Sequence, residues 1–183
     1  MKKLLLTGAS GFLGRHILSV VTGRYDVYAI SNNNPVNRSG LTEVTCDIRN
    51  YIELGNYIDD IEPDMVIHAA AIADANFCQQ NKEVSYAVNV EAAVNLAGIA
   101  ADYNIPFAFI STDLVFDGNR GMYTEEDAKN PLSLYGEQKA EAEEEIRSIY
   151  PSATIFRLPL MLGEPSAGKA NYLNSFLQQI NSS

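Results

Sequence analysis

A parallel, doubly wound α/β sheet with helices on both faces is the fold this sequence predicts. Three observations carry it. Short apolar runs alternate with segments of helical period along most of the chain, the pattern that strand–helix–strand units require. The first apolar run ends in a glycine-rich turn, Thr7-Gly8-Ala9-Ser10-Gly11-Phe12-Leu13-Gly14, that opens a helix. A long alanine-rich stretch lies midway, suited to packing between layers.

The elements follow in order. Residues 3–7 form an apolar run closing on glycine, a buried strand. Residues 11–21 continue as a helix in which Phe12, Leu13, Ile17, Leu18 and Val21 share an apolar face. A second strand over 26–30 is broken by Ser31-Asn32-Asn33-Asn34-Pro35, and 43–46 reads as a short third. A helix over 51–60 precedes Pro63, and 64–69 forms the fourth strand. The alanine-rich helix covers 83–103, with a fifth strand at 106–110. After a polar, turn-rich segment at 118–130, another helix falls within 131–149, and its Glu141, Glu143, Glu144 and Glu145 read as one solvated face. The sixth strand is 153–158; beyond Gly163 the pattern loosens, and 172–180 is expected to be a final amphipathic helix.

The bulk properties exclude more than they assign. With 183 residues, 46% hydrophobic and 20% charged, the composition is that of one globular domain. A formal charge of −10 lacks the electrostatic footprint of a nucleic-acid binder. Met1-Lys2-Lys3-Leu4-Leu5-Leu6 looks like the start of a signal peptide, but its apolar stretch is too short and runs into Thr7-Gly8. No segment is expected to reach the ~20 apolar residues of a membrane span. Cys46 and Cys78 make neither a disulfide framework nor a metal set, and His16 and His68 lack companions at ligand spacing, so no metal is expected. The expectation is a cytoplasmic protein with reduced thiols and neither nucleic-acid nor membrane partners.

The glycine turn has a mechanical reading because it follows a strand and opens a helix. Gly8 permits the sharp turn, Gly11 lets the backbone approach a pyrophosphate, and Gly14 allows close helix–strand packing. Phosphate then meets free N–H groups at a helix N-terminus. The whole turn, with Ser10, Phe12 and Leu13 between its glycines, is the candidate cofactor cradle. The acid that would hold a ribose 2′-hydroxyl falls ~20 residues later. Ser31, Asn32, Asn33 and Asn34 occupy that window, with Arg15 and Arg38 as candidates for a 2′-phosphate. This favours NADP, with NAD as the alternative.

Tyr135-Gly136-Glu137-Gln138-Lys139 is the second motif. Residues four apart on a helix share a face, so Tyr135 and Lys139 can project into one site. An ammonium beside a phenol favours the phenolate and brings a group of pKa ~10 into acid–base range. Ser111-Thr112-Asp113 follows the fifth strand, where the carboxyl ends of a doubly wound sheet face the ligand crevice. A hydroxyl there can bind a substrate oxygen; its ordinary alternative is to cap a turn.

These residues together resemble the extended short-chain dehydrogenase/reductases. The resemblance runs from the glycine turn through Asp47, His68-Ala69-Ala70-Ala71 and Asn89 to the Tyr135/Lys139 pair, about 2–163. Ser111-Thr112-Asp113-Leu114-Val115-Phe116-Asp117-Gly118 and Pro131-Leu132-Ser133-Leu134-Tyr135-Gly136 are similar to the dTDP-4-dehydrorhamnose reductases among them. The resemblance implies a Rossmann fold and reduction of a nucleotide-linked 4-keto sugar by NAD(P)H, with a sugar-nucleotide epimerase or dehydratase, or a non-catalytic cofactor-binding or regulatory module, as alternatives. It implies Thr112 as catalytic hydroxyl, Tyr135 as proton donor, and Lys139 as its electrostatic partner and a ribose ligand. Asp47 and Ile48 match an adenine-contacting position, Ala69, Ala70 and Ala71 a small-residue floor under the cofactor, and Asn89 a supporting helix asparagine. Leu114 stands where an aromatic residue is usual, and Gln138 where serine or threonine is usual. Family members continue with a region supplying much of the substrate pocket. By that resemblance 1–163 is the NAD(P)-binding domain and 164–183 the start of a truncated substrate-binding region. Cofactor binding with little turnover is expected of this length, with a nucleotide-sugar substrate as partner and a homodimer allowed.

Overall fold

The computed structural model describes residues 1–163 and Ile180. The expected helix over 172–180, and the region 164–183 as a whole, lie outside the described residues apart from Ile180. Strands β1 (Lys3–Thr7), β2 (Asp26–Ser31), β3 (Thr42–Thr45), β4 (Met65–His68), β5 (Phe107–Thr112) and β6 (Thr154–Leu158) form one sheet, ordered β3-β2-β1-β4-β5-β6. Every pairing is parallel. Helices α1 (Phe12–Val21), α2 (Tyr51–Ile61), α3 (Ala75–Gln80), α4 (Lys82–Asp102) and α5 (Leu134–Ile149) supply the crossovers. The expected α/β class holds.

The sheet is buried on both faces, as its continuous apolar strands require. Leu5 joins Leu54, Ile58, Val66, Leu96, Phe109 and Ile146 in the core under α2, α4 and α5. Its neighbours Leu4 and Leu6 point the other way, with Leu18, Val27 and Ala29. β1 pairs with β2 on one side and β4 on the other, so chain order reverses there and a crevice opens at its carboxyl end.

Four departures from the sequence reading have physical causes. β5 extends through Ser111 and Thr112, because both pair in register with Arg157 and Leu158 of β6. α3 is an unanticipated six-residue helix, started by Asp74, whose Oδ1 accepts the N–H groups of Asn76 and Phe77 at 2.9 Å. α4 is long and apolar enough to cross a membrane by length and composition, against expectation. Its apolarity is accounted for by burial: Ala92, Ala93, Leu96, Ala97 and Ala100 pack against the sheet.

The fourth departure corrects the solvated reading of the α5 glutamates. Glu143 is 1% exposed. It accepts Ser111 Oγ at 2.5 Å, both Arg157 Nε at 3.1 Å and Nη2 at 2.7 Å, and lies 3.6 Å from Lys129 Nζ. Glu141 accepts the Tyr86 hydroxyl at 2.6 Å, while Glu144 is exposed. Glu143 therefore rivets α5 to the carboxyl ends of β5 and β6. Replacing it with glutamine keeps the shape but removes the charge facing Arg157. The expected loss is about 1–2 kcal/mol, reduced from a fully buried pair because Arg157 stays partly hydrated. A urea midpoint that falls at unchanged slope checks it.

Candidate active site

The turn after β1 is shaped by contacts that exclude side chains. Gly8 has φ +71°, and a Cβ there would lie 2.6 Å from the Ala69 carbonyl and the Ala70 nitrogen. A Cβ on Gly14 would overlap the Gly8 carbonyl, so α1 packs directly on the turn. The Gly11 N–H donates to Gly8 O at 2.9 Å, and no side chain caps α1. The first N–H groups of α1 therefore look out from the sheet's carboxyl edge, a ready anion site.

A groove of about 430 Å³ opens over this turn. Gly8, Ser10 and Gly11 form one wall, Asn32 with Asn33 and Asn34 the β2 end, Asp47 and Ile48 the β3 side, and Ala69, Ala70 and Ala71 the floor. Phe12, Leu13 and Gly14 stand behind it in α1, where the Phe12 ring lies tilted against His16. Arg38 is exposed and does not line the groove. Arg49 does, its guanidinium forked on Asp47, which holds that carboxyl below its usual range. A carboxylate also reaches the β2 end from Glu43. It is taken up by Ser31 Oγ at 2.7 Å and the Val36 N–H at 2.6 Å, and it stays outside the groove lining.

The floor is fastened from below. Thr7 Oγ1 accepts the Ala70 N–H at 3.3 Å and shares a 2.7 Å hydrogen bond with His68 Nδ1. Burial, with Lys139's charge adding, pushes His68 down to about 3, so the imidazole is neutral. Its Nε2 has no partner among the described residues. Asn89 is 1% exposed and grips the floor's end: Oδ1 accepts the Ile72 N–H at 2.8 Å, and Nδ2 donates to the Ile72 carbonyl at 3.0 Å.

Tyr135 and Lys139 come from α5 and Thr112 from the carboxyl end of β5, two elements packed on one another. Ser133 caps α5, accepting the Gly136 N–H at 3.1 Å, which puts Tyr135 in the first turn. Gly136 carries the approach of α5 to β5. A Cβ there would collide with the Leu114 carbonyl and lie 3.0 Å from Pro131 Cβ. Glycine in a helix costs about 1 kcal/mol relative to alanine, and that penalty was the available sequence signal. The Thr112 hydroxyl is engaged in its own turn, accepting the Leu114 N–H at 3.2 Å and bonding Asp113 Oδ1 at 3.3 Å. Asp113 and Ser133 line a second cleft of about 860 Å³ with Leu114, Phe116, Tyr123 and Arg157.

Electrostatics here differ from the sequence argument. Lys139 is 1% exposed, its Nζ 3.8 Å from the Phe109 ring centroid, and burial brings it down to about 7 against a small upward pull from Glu143. Tyr135 is not drawn down by Lys139. Burial, with the negative charge of Asp113 adding, pushes its phenol up to about 12. The ammonium is spent on the ring beneath it, on the inner side of the helix. Burial shifts both groups, one turn apart on α5, and makes them candidates for proton chemistry.

A glycine turn under a switch-point groove, with a tyrosine–lysine helix after the fifth strand, is the arrangement of the extended short-chain dehydrogenase/reductase class. Within it the chain belongs to the family described as the RmlD substrate binding domain, which matches residues 1–183. It is 35% identical over 167 residues to dTDP-4-dehydrorhamnose reductase of Aggregatibacter actinomycetemcomitans, covering 90% of this chain and 53% of that protein. It is 32% identical over 164 residues to methionine adenosyltransferase 2 subunit beta of Danio rerio, covering 89% and 49%. A solved structure, a hypothetical dTDP-4-dehydrorhamnose reductase from Sulfolobus tokodaii, overlays with a TM-score of 0.78 at 32% identity, covering 87% of this chain and 56% of that one. The chain spans about half the length of the curated relatives it matches.

Proposed function

We propose that this chain is the cofactor-binding portion of a cytoplasmic, NADPH-dependent reductase of a nucleotide-linked 4-keto sugar. The observation that carries it is the glycine groove at the sheet's carboxyl edge, joined in one domain to a Tyr135/Lys139 helix packed on β5 and to an open 860 Å³ cleft. The family's reductases support the substrate class. Gly8–Gly14 and the N-terminus of α1 would hold the pyrophosphate, Asp47 and Ile48 the adenine end, and Ala69–Ala71 the space beneath. When bound, the nicotinamide supplies the hydride. NADPH is preferred over NADH because no carboxylate from 31–34 faces the ribose and Glu43 is engaged elsewhere.

In this reading the Tyr135 phenol, protonated at neutral pH, gives its proton to the substrate oxygen as negative charge develops there. Thr112 orients that oxygen, and Lys139, one helical turn from Tyr135, is kept for the cofactor's ribose. The second reading is a non-catalytic cofactor-binding or regulatory module, the direction in which a relative named as an adenosyltransferase subunit points. The Tyr135/Lys139 pair weighs against it, and any reduction of a sugar nucleotide excludes it.

The test is calorimetric titration with NADPH and NADH. Gly11 has an extended backbone that valine can adopt, and a Cβ there lies 3.1 Å from Gly8 O, so Gly11→Val is expected to fold. Its side chain fills the cradle, weakening NADPH by about tenfold or more. Tighter binding of NADH defeats the preference, and binding of neither defeats the reading.

A further inference from the structure

Between the groove floor and the helix bearing Tyr135 and Lys139 lies a buried amide that neither feature explains. Gln138, next to Lys139 on α5, is 2% exposed. Its Nε2 donates to Ser85 Oγ at 2.8 Å, and its Oε1 accepts Asn89 Nδ2 at 2.9 Å. Ser85 passes its own proton to the Lys82 carbonyl at 3.0 Å. Asn89 spends the rest of its amide on both backbone groups of Ile72, which follows Ala71 and lines the groove. Asn89 sits in the Ala87–Glu91 segment of α4, which winds as a π-helix. Such segments displace side chains from regular register and gather at functional sites. A buried amide is costly unless both ends are bonded, and here both are.

We propose that Gln138 is a positioning residue that acts through Asn89, setting Ile72 and the cofactor floor at a fixed height against the Tyr135/Lys139 helix. The chain of contacts is continuous: α5 to Gln138, Gln138 to Asn89, Asn89 to Ile72, Ile72 to the alanine floor. Its importance for catalysis rests on the groove being a dinucleotide site, but the linkage itself does not.

Amide hydrogen exchange of the free chain, followed by NMR, tests it. Gln138→Met fills the volume and removes both bonds. The Ile72 N–H is then expected to exchange about tenfold faster, while the Leu5 amide in β1 keeps its rate. NADPH affinity should fall by a similar factor in calorimetry. Gln138→Glu supplies a second readout. Protonated, its carboxyl offers the same acceptor to Asn89 and the same donor to Ser85; ionised, it loses the donor. Its exchange rate at Ile72 relative to the parent should return to one at low pH and rise as the carboxyl ionises. The titratable groups packed around it are Cys78 on α3, Tyr86 on α4, and Tyr135, Lys139 and Glu141 on α5. Their identities are unchanged in the variant, and the Leu5 amide, read at each pH beside Ile72, controls for any shift that the new carboxylate causes in them. A parental Ile72 rate in Gln138→Met overturns the proposal. Equal acceleration of Ile72 and Leu5 also overturns it, since that marks general loosening. A parent that binds no NADPH overturns the functional reading, and the exchange comparison still decides the linkage.

Discussion

In a version that also carries the substrate-binding region, reduction of a nucleotide-linked 4-keto sugar is expected to slow by about 10²–10⁴-fold when Tyr135 is replaced by phenylalanine, the usual worth of a positioned general acid. The structure makes this a clean subtraction. No hydrogen bond within the described residues holds the Tyr135 hydroxyl, so its loss leaves no orphaned partner and stability should change by less than ~0.5 kcal/mol. The ring, 8% exposed, keeps its packing. NADPH affinity should hold within about twofold, because the phenol lies outside the groove lining. Single-turnover kinetics with NADPH in excess separate the chemical step from binding. A rate within a few-fold of the parent would mean that another group donates the proton.

The second large effect runs against intuition: Lys139→Met is expected to stabilise the fold. Burial lowers the folded-state pKa of Lys139 to about 7, whereas an unfolded lysine titrates near ~10.4. Below pH 7 both states hold the proton, and the full cost of burying the ammonium is present. Between about 7 and 10.4 the folded chain has released it and the unfolded chain has not, so parental stability climbs with pH. Above that window both are neutral and the penalty is gone. Methionine fills the slot without charge, so its advantage should be on the order of 2–4 kcal/mol at pH 6.5 and nearly vanish at pH 10.5. Melting temperatures at the two pH values measure it, with a rise of roughly 5–10 °C at the lower. A destabilised variant at pH 6.5 would show that the ammonium is well compensated where it lies. Loss of NADPH binding alongside the stability gain would place the strain where function needs it.

Local patterns were legible; long-range partners were not. β1 and the glycine turn could be read because Leu4-Leu5-Leu6 and Gly8, Gly11 and Gly14 act on their immediate neighbours. The Tyr135/Lys139 pair was legible for the same reason, since one helical turn joins the two. Glu143 was misread because its partners, Ser111 and Arg157, reach it only after β5, β6 and α5 assemble. The uncoupled phenol was invisible too, because sequence spacing says nothing of the Phe109 ring that draws the ammonium inward. α3 was missed for its brevity, although Asp74 marked its start. Gln138 looked like an oddity within a motif until Ser85 and Asn89 stood opposite it.

The all-parallel ladder also governs how the chain must be made. No strand can close on the next through a hairpin; each waits for a crossover. Leu4 pairs with Val27 and Met65, Val66 with Phe107, and Ala108 with Thr154. The central strand thus precedes the sheet's other strands in the chain and is flanked on its second side only after Met65 follows. Closures this distant are slow, on the order of milliseconds to seconds rather than the microseconds of helical bundles. Leu4-Leu5-Leu6 meanwhile stands as an open apolar strand, the kind of segment that seeds intermolecular pairing. Lys2 and Lys3 stand directly before it, where their charges repel like copies. Charges flanking an apolar strand are the ordinary device against such pairing while its partners are still absent.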